Sequence, residues 1–382
     1  MQLNKVNEVN TTRVLQKIWL SNGTNRAALT RDLGLVKSTV SRIVAMLLER
    51  GLVREVHGQV MKSGVGRRPR HLEINEQYGH ILGLEIQTDF FNAVLINLRG
   101  DVVETWSGSI LRTRLDTSAT FLEVMKRLRR PLRRSRVPLI GIGVGLAGII
   151  DQRNGVIVQS NPLNITETVH FIREIKDKAS VPVLLENDAN CCCWGELAFR
   201  RTSRHNNFLF VLGEFRTGET GSNAYWGIAI GLGLVLDGKV YHGASFSTGE
   251  FQSIFWTPAN SGQFSITDDE ARRIKKDKEI MTRAFRELAS HVAFLVNTLN
   301  LTNVVFGGEI SEYQELLLPM VETAIQENWS YSSTVTCSVE FSSLQKDAVA
   351  YGAAGMFLES IFTIPEMFST SDRTAQPEVS VL

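Results

Sequence analysis

Two polar residues in the middle of the chain, Asn187 and Asp188, have types and positions suited to binding a small molecule. The apolar run 181–185 predicts a buried strand, and an apolar helix is predicted after residue 190. The two residues therefore lie at the carboxyl end of a strand, where α/β folds place their ligand sites. An amide and a carboxylate can bind vicinal hydroxyl groups, and the carboxylate can also accept a proton. Both residue types are also preferred helix N-caps, so a purely structural role stays open.

A second group of polar side chains opens a helix predicted over residues 38–50. The apolar residues of this helix recur at spacings of three and four, so one face is buried. The other face begins with Lys, Ser, Thr and Arg, which can contact phosphate and base edges in the major groove of DNA. The candidate DNA-binding residues of this helix are Lys37, Ser38, Thr39, Ser41 and Arg42.

Three helices and a hairpin are predicted to position these side chains. Gly34 permits a tight turn between the second and third helices, and Gly51 ends the third. Strands at 52–56 and 71–74 enclose a glycine-rich basic connection, which predicts a wing that contacts phosphate or the minor groove. An ordinary three-helix bundle with a flexible basic loop is the alternative. The basic residues assigned to the wing are Arg67, Arg68 and Arg70.

The N-terminal part of the chain is strongly basic, although the whole chain is nearly neutral. Residues 1–75 contain 13 Lys or Arg and 5 Asp or Glu, whereas the whole chain has a net charge of +1. Such asymmetry favours a polyanion as the partner of this part. Together with the order of the helices, it predicts binding of double-stranded DNA.

The composition is typical of a globular protein, and no apolar stretch is long enough to predict a membrane span. The first 20 residues lack the features of a signal peptide, so a cytoplasmic protein without membrane contacts is expected. Three of the four cysteines are adjacent and no CxxC pair occurs, which predicts neither a disulfide framework nor a zinc site. One or two of the adjacent cysteines are expected to pack as small apolar groups on a buried helix; the four are Cys191, Cys192, Cys193 and Cys337.

From residue 77 the pattern changes to alternating strands and helices, which predicts an α/β fold with a largely parallel core. One helix, about 117–135, is rich in arginine; nucleic-acid binding is one interpretation, but a solvated helix face explains the pattern at least as well and is preferred. Another helix is predicted at 167–178. The polar segment 214–226 has no evident role, and the tail 366–382 is predicted to be disordered.

Several motifs together resemble the ROK family of repressors and sugar kinases, in particular its xylose-repressor and N-acetylglucosamine-repressor branch. They extend from Asn10 to about Phe357 and read TVSRIV, GRRPRHLEIN, GIGVGLAGIID, ENDAN, GIAIGLGLVLDGKVYHGA, GEF and VVFGGEIS. The resemblance implies two actin-like ATPase lobes with a sugar cleft between them. The expected architecture is therefore a winged helix-turn-helix over 1–76 and a sugar-kinase-like domain for ligand sensing and dimerisation over 77–365.

The resemblance also implies which residues bind the sugar. Asn187, Asp188 and Glu250 match sugar-binding positions of the family, and Asn161 and Asn164 lie where the family places a further amide. In family kinases the residue that matches Asp188 is also the catalytic base.

Two departures from the family pattern concern metal and ATP. Many members hold zinc with a Gly-His pair and three downstream cysteines, but 249–253 lacks the histidine and 254–270 lacks cysteine. No metal or cofactor is therefore predicted, and Gln252 or Ser253 is expected to replace the histidine at the sugar. The kinase phosphate turn, Asp-x-Gly-Gly-Thr, is matched by Glu85–Asp89, in which larger side chains replace glycines that let backbone N–H groups approach phosphate.

These features predict a DNA-binding repressor of carbohydrate genes, which is not an enzyme and which forms a homodimer or homotetramer whose operator affinity is controlled by a sugar. One alternative is an ATP-dependent sugar kinase with an attached DNA-binding domain, which the sequence at 85–89 argues against. Another is a DNA-binding scaffold whose second domain only dimerises or docks a partner protein, which the retained Asn187, Asp188 and Glu250 argue against.

Overall fold

The computed structural model describes residues 2–21, 23–57, 70–110, 116–199, 205–217 and 226–362. These residues form an N-terminal unit of helices and a hairpin, followed by two lobes that are each built on a five-stranded sheet. None of the helices in these ranges is long and apolar enough to cross a membrane.

The N-terminal unit contains three helices and two antiparallel strands. Its elements are α1 (Gln2–Leu20), α2 (Arg26–Leu33), α3 (Lys37–Glu49), β1 (Val53–His57) and β2 (Arg70–Ile74). The apolar face of α3 is buried against α1 and β1, as its spacing of three and four predicts.

Local signals set the turns of this unit. Asn25 caps α2 by accepting a hydrogen bond from the backbone N–H of Ala28 at 3.0 Å. Gly34 ends α2 with a φ of 64°, a left-handed conformation that lets the chain turn directly into α3. The backbones of Thr24 and Leu72 exchange two hydrogen bonds, of 3.0 and 2.7 Å, which fix the start of α2 to the edge of the hairpin.

The first lobe, lobe I, is built on a mixed sheet with strand order β5-β4-β3-β6-β9. β3, β6 and β9 are parallel, whereas β4 and β5 are antiparallel. In chain order its elements are β3 (His80–Ile86), β4 (Phe90–Asn97), β5 (Val102–Ser109), α4 (Thr117–Arg134), β6 (Leu139–Leu146), β7 (Ile149–Asp151), β8 (Val156–Gln159), α5 (Phe171–Ile175) and β9 (Val183–Asn187).

Lobe II repeats the same arrangement of three parallel and two antiparallel strands, in the order β12-β11-β10-β13-β14. Two short 3₁₀ helices, Glu309–Tyr313 and Gln345–Asp347, lie in this part. The other elements after β9 are α6 (Asp188–Phe199), β10 (Phe208–Thr217), β11 (Trp226–Leu236), β12 (Lys239–Val240), α7 (Asp268–Arg273), α8 (Lys278–Leu299), β13 (Asn303–Gly307), α9 (Gln314–Glu327), β14 (Ser338–Phe341) and α10 (Ala348–Phe362).

The last helix, α10, packs closely on the sheet of lobe I and on α6. A Cβ atom at Gly83 of β3 would lie 1.8 Å from the carbonyl oxygen of Ala350, so only glycine permits this contact. At its far end α10 meets the N-terminal unit, where the rings of Phe362 and Trp19 stack with centroids 4.6 Å apart. One apolar cluster therefore runs from the N-terminal unit into lobe I.

Two expectations from the sequence need correction. The helix expected over 167–178 spans only Phe171–Ile175, because the backbone of Val169 pairs with Ile157 and stays extended. All three adjacent cysteines, rather than one or two, are buried, and burial raises the pKa of each thiol well above its usual value. The tail 366–382 lies outside the described residues.

Candidate functional site

Asn187 ends β9 and Asp188 begins α6, so the predicted strand-to-helix junction is present. The Oδ1 atom of Asn187 accepts a hydrogen bond from the backbone N–H of Asn190 at 3.1 Å, and its Nδ2 donates to the carbonyl oxygen of Gly148 at 3.0 Å. The Oδ1 atom of Asp188 accepts from the backbone N–H of Ala189 at 2.8 Å. Asn187 thus caps α6 and holds the end of β6, with the Asp188 carboxylate beside it.

Glu250 approaches Asp188 from lobe II. Its backbone bridges Gly231 of β11, and a Cβ atom at Gly231 would lie 3.8 Å from Oδ1 of Asp188. Burial raises the pKa of both carboxyl groups, and the negative charge of Asp188 adds to the effect on Glu250. Glu250 is exposed and Asp188 is buried, so the region between the two carboxyl groups is open to solvent on the Glu250 side; this region is called the cleft below.

The segment that matches the kinase phosphate turn is filled by its own side chains. The buried Glu85 carboxylate accepts hydrogen bonds from Nε2 of Gln87 at 3.1 Å and from Nδ2 of Asn92 at 2.9 Å. Burial, with a smaller contribution from the charge of Asp188, raises the pKa of Glu85 to about 7. The Oε1 atom of Gln87 is buried and has no hydrogen-bond partner among the described residues.

Two residues of β10, Glu214 and Arg216, interact electrostatically with Glu85 and Asp188. Burial and the negative charges of Glu85 and Glu309 raise the pKa of Glu214 to about 8. The positive charge of Arg216 acts in the opposite direction on Glu85, Asp188 and Glu214. Neither residue was selected from the sequence, although a Glu and an Arg two positions apart share one face of a strand.

A fully buried carboxylate, Glu186, ties the two lobes together immediately before Asn187. Nε2 of His242, which follows β12 of lobe II, lies 2.8 Å from its Oε2. Nε1 of Trp194 donates to the same oxygen at 3.2 Å. Oε1 accepts from the backbone N–H of Asn187 at 2.9 Å and from Nδ2 of Asn190 at 3.2 Å. This contact, called the Glu186–His242 latch below, could not be predicted from the sequence, because the two residues are 56 positions apart along the chain.

Asn161 and Gln252, the remaining predicted sugar contacts, are placed differently. Ser160 donates to the carbonyl oxygen of Ala147 at 2.6 Å, which brings the exposed Asn161 to the end of β6 that Asn187 also contacts. Gln252 is exposed and makes no hydrogen bond or ion pair with another described residue. The structure therefore brings Asn161 next to the cleft and gives Gln252 no contact that would orient it.

Hydrogen bonds hold the loop that follows Glu250. Gln263 accepts from the backbone N–H of Ile230 at 2.6 Å and donates to the carbonyl oxygens of Ile230 and Phe251 at 3.0 and 2.9 Å. Nε2 of His291 accepts from the backbone N–H of Ile254 at 3.0 Å. No group of three His, Cys, Asp or Glu in the described ranges is placed to hold a metal ion.

The polar face of α3 projects into solvent at its N-terminal end. Thr39 is half-buried, and the other four predicted contacts, Lys37, Ser38, Ser41 and Arg42, are exposed. The opposite side of the helix is buried through Val40, Ile43, Val44 and Leu47.

Of the three predicted wing residues, the structure describes only Arg70. Arg70 begins β2, and its guanidinium lies 2.5 Å from the Glu55 carboxylate. The same carboxylate also pairs with Arg26 at 2.8 Å. Arg70 pairs with His57 and thus lies at the end of the β1–β2 ladder that is next to the connection 58–69. Arg67 and Arg68 lie outside the described residues.

Comparison with known proteins identifies similar regulators and kinases. The model of the ROK family matches residues 81–254 and 265–360. A xylose repressor of Bacillus spizizenii is 25% identical over 95% of this chain and 98% of its own length. A ROK family transcriptional regulator, described as a homolog of the E. coli MLC protein, has a TM-score of 0.73 at 20% identity, over 94% of this chain and 97% of its own. A ROK family glucokinase from Streptomyces griseus, in complex with glucose and AMPPNP, has a TM-score of 0.55 at 17% identity, over 73% and 99%.

Proposed function

The chain belongs to the ROK family, and from that premise we propose that it is a DNA-binding repressor of carbohydrate genes controlled by a sugar. One observation carries the proposal: the cleft retains Asp188 and Glu250 but has a buried carboxylate, Glu85, in the phosphate turn. Relatives named xylose repressors, which align with 94–95% of this chain, support it.

In this proposal residues 1–76 are a winged helix-turn-helix and residues 77–365 are the sensing domain. The glycine turn between α2 and α3, the exposed start of α3 and the β1–β2 hairpin support this division. Lys37, Ser38, Thr39, Ser41 and Arg42 contact base edges and phosphates, and Arg67 and Arg68 contact the DNA backbone. Arg70 orients the hairpin through Glu55.

The proposed effector is a neutral, unphosphorylated sugar. Asp188 and Glu250 accept hydrogen bonds from its hydroxyl groups, Asn161 adds an amide and Asn187 positions Asp188. A phosphate group would bring negative charge into a region that already holds the carboxyl groups of Glu85, Asp188, Glu214 and Glu250, whose mutual repulsion helps to raise their pKa values. The names of the relatives make D-xylose the first sugar to test.

We propose that the cleft has no kinase activity. Phosphoryl transfer needs a backbone cradle and positive charge around the phosphates, whereas the side chains of Glu85, Gln87 and Asn92 fill the corresponding segment. The rival hypothesis, an active sugar kinase, makes a clear prediction. ATP-dependent phosphorylation of a sugar above about 1 s⁻¹, abolished in Asp188→Asn, would support the rival.

The proposed mechanism of regulation is linkage between sugar and DNA. A sugar that bridges Asp188 and Glu250 favours one arrangement of the lobes, and it changes DNA affinity only to the extent of that preference. The protein acts in the cytoplasm as a homodimer or homotetramer on a two-fold operator, with recognition helices spaced by about 34 Å or a multiple of it. It needs no cofactor.

The experiment that tests this proposal begins with selection of a duplex from a random DNA library by the full chain. Thermal shifts with D-xylose and a panel of other sugars and sugar phosphates then identify the effector, because a bound ligand raises the melting temperature. Asp188→Ala is expected to abolish the effect of the sugar on DNA binding while sugar-free binding persists. Asp177→Ala, a change at an exposed carboxylate of lobe I, is the control.

Two results would contradict the proposal. One is failure of the wild-type chain to select any duplex. The other is an Asp188→Ala variant that still responds to the sugar at the same concentration, which would place the site elsewhere.

A further inference from the structure

The second half of α4 carries an unusual concentration of positive charge. Seven of the eleven residues 126–136 are Lys or Arg and none is acidic. All seven side chains are exposed, and only Arg127 has an ion pair within the described ranges, with Glu123 at 3.4 Å. We name this set the α4 basic cluster; it consists of Lys126, Arg127, Arg129, Arg130, Arg133, Arg134 and Arg136.

The charge exceeds what stability of the helix requires. Cations near a helix C-terminus are favourable through the helix dipole, but that effect is confined to the last turn. The cluster begins more than one turn earlier, at Lys126. Like charges four residues apart on a helix repel one another, and the pairs Lys126–Arg130 and Arg130–Arg134 both have this spacing. A bound polyanion would offset this repulsion, whereas a helix face that only contacts water leaves it in place.

The buried face of α4 fixes where the cluster lies. Phe121, Val124 and Leu128 pack on the sheet of lobe I, on the face opposite α10. At the end of the helix Oγ of Ser135 lies 3.2 Å from Nδ1 of His80, the first residue of β3. The C-terminal half of the cluster therefore lies at the end of the sheet where the parallel strands begin.

The N-terminal unit is attached at this same end of the sheet. The chain enters β3 directly from β2 through the short connection 75–79, and Arg99, in the turn between β4 and β5, lies 3.6 Å from Glu76. The C-terminal end of α10 is also here, with Phe362 stacked on Trp19. Asp188 lies at the opposite, carboxyl end of the strands, so the basic cluster and the N-terminal unit share one end of lobe I.

We propose that the α4 basic cluster binds the phosphate backbone of the DNA that flanks the operator; this rests on the proposed function. An array of arginines suits a polyanion, since each guanidinium pairs with a phosphate without reading sequence. A protein partner would be expected to need apolar anchors at the centre of the contact. Within 126–136 the apolar side chains are buried or half-buried, so the exposed surface is purely cationic. The wing and the cluster would thus extend the contact beyond the bases read by α3.

The test compares two duplexes that contain the sequence selected by the wild-type chain, one without flanks and one with about 15 base pairs added on each side, an increment of roughly 1.5 helical turns. The wild type is expected to bind the long duplex at least about 10-fold more tightly and with a steeper salt dependence, about 0.9 in the logarithmic slope for each added phosphate contact. The variant Arg129→Gln/Arg130→Gln/Arg133→Gln/Arg134→Gln is expected to lose both differences and to bind the short duplex normally.

The control replaces two exposed arginines of lobe II, Arg272→Gln/Arg273→Gln, and is expected to retain the effect of the flanks. Equal binding of the long duplex by the quadruple variant and the wild type, with normal circular dichroism of both, would overturn the inference. Failure of the wild type to select any duplex would instead count against the proposed function itself, so the two failures are distinguishable.

Discussion

The carboxyl groups of the cleft have pKa values shifted toward neutrality by burial. The pKa of Glu85 is raised to about 7 and that of Glu214 to about 8, and those of Asp188 and Glu250 are raised as well. Near neutral pH the carboxyl groups of Glu85 and Glu214 are present in both protonation states, so each can accept a hydrogen bond or donate one. These residues suit a neutral polyol, and protonation lowers the cost of burying several carboxyl groups together.

The most direct test of these raised pKa values is the substitution Glu85→Gln. Between pH 4.5 and about 7 the unfolded chain releases a proton that folded Glu85 retains, so the free energy of unfolding falls as the pH rises through this window. The substitution removes this titration, the new amide oxygen can still accept from Asn92, and the new NH2 group can donate to Oε1 of Gln87 once the Gln87 amide has turned over. The variant is expected to be more stable than the wild type at pH 8 by about 1–3 kcal/mol and similar at pH 4.5.

Urea denaturation between pH 4.5 and 8 measures this difference. Glu104→Gln, at an exposed position of β5, is the control and is expected to follow the wild type. An unchanged slope of stability against pH in Glu85→Gln would contradict the assignment.

Among the elements, the strand-to-helix junction at Asn187 and Asp188 could be predicted because its signals are local: an apolar run, two capping residue types and a helical pattern. The Glu186–His242 latch could not, because its members are 56 residues apart and meet only after the lobes have folded together. Helix α5 was overestimated for the same reason, since the pairing of Val169 with Ile157 depends on β8.

His242 is expected to position the cleft rather than to contact the sugar. His242 lies at the start of the segment that leads to Glu250. Its ring contacts the carboxylate of Glu186, which also accepts a hydrogen bond from the backbone N–H of Asn187. His242→Ala is expected to weaken sugar binding about 10-fold, the equivalent of one hydrogen bond to a charged group, while sugar-free DNA binding stays unchanged. His242→Gln, which keeps a donor, is expected to restore most of the affinity.

Titration calorimetry with the sugar identified by thermal shift measures these affinities. His170→Ala, at an exposed position of lobe I, serves as the matched control. Wild-type sugar affinity in His242→Ala would show that the latch does not position the site.

The loop after Glu250 is expected to be independent of metal. Chelation with EDTA should leave the melting temperature unchanged, and elemental analysis should find no stoichiometric zinc. One zinc per chain, or loss of stability with EDTA, would contradict this prediction.

Hydrogen bonds of Gln263 are expected to stabilise the loop instead. Gln263→Ala removes hydrogen bonds to the backbones of Ile230 and Phe251 and is expected to lower the free energy of unfolding by about 1–3 kcal/mol. Gln252→Ala, at an exposed side chain without hydrogen bonds to described residues, is expected to have no effect on the free energy of unfolding.

Helix α10 connects the two ends that a sugar-responsive repressor must couple. Its glycines and alanines pack on β3 and on α6, whose first residue is Asp188, and its last residue stacks on Trp19 of the N-terminal unit. Both ends could be predicted from local motifs but this connection could not, because the apolar pattern of α10 does not specify which elements cover it. A change in the arrangement of the lobes therefore has a packed route through α10 to α1, against which α3 packs.

Phe362→Leu tests whether this contact carries the coupling. The substitution keeps an apolar side chain but removes the stack with Trp19, so sugar affinity and sugar-free binding of the selected duplex are expected to stay near those of the wild type. The effect of the sugar on DNA affinity, typically about 5- to 150-fold in coupled systems, is expected to fall to a few-fold. Phe294→Leu, at an exposed position of α8, controls for the loss of an aromatic ring. If Phe362→Leu responds fully to the sugar, the coupling does not pass through the contact between Phe362 and Trp19, because an element that transmits between two sites must be affected by both of them.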